Sequence, residues 1–145
     1  MRRPTLPILL TAVLGITVAA VAFSQPDMSK AKGKAINVTG TLIDTKCYSM
    51  DARNKGKDHQ TPHGEMKGCA ALCANLGIPV AVLTSKGEVW TLVTPSKDLA
   101  GHMGEACRVT GVGVYSGHQL RPDKIEVQDA SGKWSEVKIT MPMPM

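Results

Sequence analysis

From residue 36 onward, apolar and polar positions alternate in short runs. In INVTGTLID (36–44), Ile36, Val38 and Leu42 share one face, and Asn37, Thr39 and Thr41 share the other. That is the period-two pattern of a half-buried strand. Gly40 inside it marks a bulge or a close backbone approach. IPVAVLT (78–84), the turn SKGE and EVWTLV (88–93) predict a hairpin. EACRVTGVGVYSG (105–117) predicts a strand with Cys107 and Val109 on one side, curved at Gly111 and Gly113. A further strand is expected around Lys124–Gln128, limited on its early side by Pro122, and an edge strand over 134–140. Residues 94–104 connect strands with one helical turn.

Between the first strand and the hairpin the alternation stops. Residues 45–68 are polar and read as a long loop. Residues 66–76 follow as a short helix closed by Gly77. Cys69, Leu72, Cys73 and Leu76 fall at helical spacing on one face, and the leucines predict that this face is buried. The sum is a mainly β chain: a small barrel or sandwich of five or six strands, forming a single domain over 36–140, with one or two short helices.

Two ends stand apart from this pattern. Residues 1–24 carry Arg2 and Arg3 and then an apolar run to Phe23, the layout of a secretory signal, with an uncleaved membrane anchor as the alternative. A lysine-rich linker (25–35) follows, and the MPMPM tail (141–145) is expected to be disordered. The expected compartment is the periplasm or the outside of the cell, or the periplasmic membrane face if the anchor stays. The chain has 17 basic and 12 acidic residues; loss of Arg2 and Arg3 leaves 15 − 12 = +3. With Tyr48, Trp90, Tyr115 and Trp134 as the only aromatics of the exported part, neither charge nor stacking surface indicates nucleic-acid binding.

The candidate chemistry lies in the polar segment. Cys47, His59, His63, Cys69 and Cys73 fall within 27 residues. Thiolate and imidazole together suit zinc or copper(I). Met50, Met66, Met103, Met141, Met143 and Met145 add soft donors. The other reading is structural. Four cysteines in an exported chain (Cys47, Cys69, Cys73 and Cys107) allow two disulfides, with the helical cysteines stapled to Cys47 and Cys107. Each would contribute about 3–4 kcal/mol. One disulfide and one metal-binding pair can also coexist. The C-x-x-x-C spacing differs from that of thioredoxin-type and haem-attachment motifs, and no hydrolase or phosphate-loop motif is present, so the chain reads as a binding module rather than an enzyme. Without a metal, it reads as a disulfide-stapled accessory subunit. Its partner would be an envelope protein or membrane complex, contacted through 48–66 and the tail. Asp44 is expected to cap a turn, Trp90 to pack in the core or at the barrel edge, and His102 and His118 to be exposed.

The run GTLIDTKC (40–47), a His-bearing loop, CAALC (69–73), GIPVAVL (77–83), GEVWTL (87–92) and GEACRVTG (104–111) resembles a group of small exported bacterial domains with OB-type β-barrels. Members share a cysteine after the first strand and a pair near a short helix; Cys107 departs from that pattern. The resemblance implies a fold and a compartment. It carries no reaction with it.

Overall fold

The computed structural model describes residues 33–114 and 117–140. The N-terminal segment 1–24, most of the linker and the tail 141–145 lie outside the described residues. The strands are β1 (Lys34–Asp44), β2 (His59–Thr61), β3 (Gly64–Met66), β4 (Val80–Thr84), β5 (Val89–Leu92), β6 (Ala106–Val114), β7 (Gln119–Gln128) and β8 (Trp134–Glu136). Two α-helices, α1 (Thr45–Met50) and α2 (Cys69–Asn75), and a 3-10 helix (Ser96–His102) complete the fold.

One sheet runs β5-β4-β1-β6-β7-β8, and a parallel pairing of β5 with β7 (Thr91↔Gln119, Leu92↔Leu120) closes its first five strands into a barrel. Counting barrel strands along the chain, the order is 1-2-3-5-4 and back to 1. This is the OB-type arrangement that the resemblance implied, and it decides for the barrel between the barrel and the sandwich that the alternating pattern allowed. β8 adds to β7 outside the barrel through Glu126↔Glu136 to Gln128↔Trp134. It is shorter than the expected edge strand.

The core follows from the alternation. Ile36, Val38 and Leu42 of β1 meet Val80, Val82, Trp90, Leu92, Val109, Leu120, Ile125 and Val127. Leu99 and Met103 close one end of the barrel from the 3-10 helix and its exit. Gly40 is a close approach: a Cβ there would run into the carbonyl of Leu83 on β4. β7 runs straight through Pro122, beyond the limit its sequence suggested. The register of β6 on β7 shifts between Thr110 and Gly111, and Pro122 sits opposite Gly111 at that irregularity, where a proline costs no ladder bond. Gly111 has no side chain to strike Arg121 and Pro122.

Cys107 points into this core and is fully buried. Burial pushes its thiol up to about 12. The unfolded thiol ionises near its ordinary value, so this stability is complete below about pH 8.5 and is lost as pH rises toward 12. We expect wild type to lose about 1.4 kcal/mol per pH unit in that window relative to Cys107→Ala, read from urea midpoints at pH 8, 9 and 10. Equal pH slopes for the two proteins would refute it.

Candidate metal centre

Residues 45–79 join the first barrel strand to the second, and they are not a plain loop. They hold α1, the β2–β3 hairpin and α2. In OB-type barrels this connection is one of the ligand-binding loops. Three polar side chains shape it. Asp44, fully buried at the end of β1, accepts the Cys47 N–H through Oδ1 at 2.8 Å and so caps α1. Buried Asn54 accepts the Gln60 N–H at 2.8 Å and donates to the carbonyls of Cys47 and Gln60, tying α1 to β2. Asp58 accepts the Gly68 N–H at 2.7 Å and the Lys67 ammonium at 3.0 Å, which fixes the entry to α2. The Ala70 N–H then donates to the Lys57 carbonyl.

α2 does not bury the face its spacing predicted. Cys69, Ala70 and Ala74 are its buried residues, while Leu72 is 47% and Leu76 74% exposed. Small alanines let α2 approach the 3-10 helix closely, and Cys69 and Cys73 turn toward α1.

The outcome is a cluster of three thiols. Cys47 Sγ lies 3.8 Å from Cys69 Sγ and 4.0 Å from Cys73 Sγ, and all three ligand atoms lie within 4.8 Å of one another. Three thiolates at Zn–S distances of about 2.3 Å on a tetrahedron stand about 3.8 Å apart, whereas a disulfide holds its sulfurs at about 2.05 Å. All four cysteines are free thiols, and the expected pair of disulfides is not formed. Cys107 is set in the barrel core, apart from the three clustered thiols. Burial first, then the neighbouring Cys69 thiol and the Asp44 carboxylate, raises the Cys47 pKa; burial and then Asp44 raise that of Cys73.

Beside the thiols lies a second group, Asp44, Cys47 and His59, also within 4.8 Å. His59 is buried to 1% exposure, with Nε2 3.1 Å from the Gly56 carbonyl and Nδ1 3.3 Å from Asp44 Oδ2. If Nε2–H donates to Gly56, Nδ1 is left with a lone pair facing a carboxylate oxygen. Neither Nδ1 nor Asp44 Oδ2 has a hydrogen-bond partner. Either a proton on Nδ1 or a metal cation resolves that opposition.

Of the sequence candidates, Cys47, Cys69 and Cys73 form one group, and His59 joins Cys47 and Asp44 in the other; the two groups share Cys47. His63 sits exposed at the β2–β3 turn, outside both groups. Met50 and Met66 are exposed, and Met103 is in the core. Asp44 does cap a turn, as expected, but its second oxygen also belongs to the site. The signal for that role is the run Leu42-Ile43-Asp44, where three successive buried positions break the alternation.

No family model, curated protein or solved structure matches the chain.

Proposed function

We propose that this protein is a zinc-binding module with a Cys3His centre, in which the thiolates of Cys47, Cys69 and Cys73 and Nδ1 of His59 are the donors. The observation that carries this reading is the approach of three thiols from two chain segments to metal-like separations, with buried His59 and Asp44 grouped on the shared Cys47. Such a donor set is borderline-soft, and four donors suit a closed tetrahedral centre without an open position for catalysis. The Gly56 carbonyl would hold the ring through Nε2–H, and the Asp44 carboxylate would add negative charge near the ion.

The ion has a structural task to perform. None of the six residues of α1 is fully buried, and its apolar anchor is Tyr48 against Ile43, Ala81 and Leu83. A bound metal would tie α1 to α2 and couple uptake to ordering of residues 45–79. The N-terminal sequence supports an exported module.

A second reading is copper(I) held by the three thiolates alone. The sulfur spacing favours it as well, but it leaves His59 without a role. Reduced protein titrated with cobalt(II) as a zinc probe is expected to give the intense visible absorption of a tetrahedral thiolate site at one ion per chain. A weak octahedral spectrum would refute the proposal. His59→Ala is expected to weaken zinc roughly a hundredfold, taking one ligand's share of a structural site's binding energy, while copper(I) affinity changes less than about tenfold. The opposite ranking would favour the copper centre.

A further inference from the structure

We infer that Cys47 is the pivot of a thiol–disulfide switch: a hydroperoxide joins it to Cys69 or Cys73, and that bond expels the metal from the same centre. The metal-release half rests on the proposed function; the pairing rests on geometry alone. Cys47 takes part in both short sulfur contacts, at 3.8 and 4.0 Å. Cys69 and Cys73 stand four apart on α2, where bonding to each other would distort the helix.

Access also favours Cys47. Cys47 and Cys73 are half-buried and Cys69 is buried, but of the three Cys47 is the one that lines a cavity of about 340 Å³, together with Met50, Arg53 and Asn54. That cavity gives a small oxidant a route to Cys47. Closing the Cys47–Cys69 contact to an S–S bond of about 2.05 Å takes ~1.8 Å of sulfur movement.

The chemistry balances with hydrogen peroxide as the oxidant. The Cys47 sulfur, a thiolate when metal-bound and otherwise a thiol that gives its proton to water as it reacts, attacks one peroxide oxygen; an S–O bond forms, the O–O bond breaks and hydroxide leaves. The thiolate of Cys69 or Cys73 then attacks the sulfenic sulfur. An S–S bond forms, the S–O bond breaks and a second hydroxide leaves. Two thiolates lose two electrons in all, and the peroxide ends as two waters once protons are taken up. One thiolate and His59 remain, too few donors to hold the ion.

The test uses reduced full-length protein, zinc-loaded and metal-free, treated with stoichiometric hydrogen peroxide, alkylated and digested with trypsin. Cleavage after Lys46, Arg53, Lys67 and Lys86 puts Cys47 in peptide 47–53 and both helical cysteines in peptide 68–86. The expected product joins these two peptides, with one alkylated cysteine left in 68–86. One zinc per disulfide should reach a chromophoric chelator. A loop closed within 68–86, a bond to the Cys107 peptide, or sulfinic acid as the only product would overturn the pairing. Zinc retained after the disulfide forms would overturn the release. Cys47→Ser should form no intramolecular disulfide, and one formed at the wild-type rate would remove Cys47 from the pivot. Reduced protein that takes up no zinc refutes the proposed function, while the metal-free peptide map still decides the pairing.

Discussion

Replacing Cys69 with serine is expected to weaken zinc binding by roughly a hundredfold to a thousandfold. A structural zinc site gains about 10–16 kcal/mol from four donors, so each donor accounts for about 2.5–4 kcal/mol. Serine is close in size but binds zinc poorly at neutral pH, because its hydroxyl stays protonated. Cys69 is the cleanest position for this test, being buried at the start of α2 and separate from the Asp58 contact that fixes the helix entry. The barrel should remain, since its core lies in other residues. Wild type in zinc at 100 times its dissociation constant gains about 2.7 kcal/mol, and the variant should lose most of that increment. Chelator competition gives the affinity, and amide exchange over residues 45–79 shows whether ordering is lost with it. Wild-type zinc affinity in Cys69→Ser would remove the thiol cluster from the binding site.

The barrel was legible because its strands alternate. Ile36 and Val38 on β1, Val80 and Val82 on β4, and Val109 on β6 can be placed inward by period alone. The connection over 45–79 was less legible. Its elements are six, three, three and seven residues long and are held by Asp44, Asn54 and Asp58 through side-chain-to-backbone bonds, which leave no apolar period. The two histidines look equivalent along the chain. Burial separates them: His59 starts β2 opposite Met66 and packs against Asp44, while His63 falls at the exposed turn. Leucine content also misplaced the buried face of α2, because the helix buries Ala70 and Ala74 in the main core cluster and leaves Leu72 and Leu76 exposed. The cysteines themselves were legible as candidates, but their state was not. Spacing along the chain left both structural disulfides and a metal centre open, with the disulfides favoured; Cys47 Sγ stands 3.8 and 4.0 Å from the other two sulfurs with no S–S bond, a grouping that could hold a metal.

Zinc uptake is expected to depend steeply on pH, with apparent affinity rising by up to about a thousandfold per unit between pH 6 and 8. The sign follows from the thiols. In metal-free protein, burial raises the pKa values of Cys47 and Cys73, the Asp44 charge adds to the rise, and both thiols keep their protons at neutral pH. Zinc binds the thiolate, so each ligand gives up a proton on binding, and three such ligands give a slope approaching three in log affinity against pH. The slope persists through neutrality because protons compete at every pH below the raised values. Stability of the metal-free protein moves the other way. A raised thiol pKa favours the fold below the ordinary thiol range and loses that contribution as pH climbs above it. The metal reverses this, since bound thiolates no longer need protons, and the loaded protein should hold its stability into the alkaline range where the metal-free one declines. Competition with a chromophoric chelator at pH 6, 7 and 8, corrected for the chelator's own protonation, reads the slope directly. A slope of one or less would exclude the three thiolates as the ligand set.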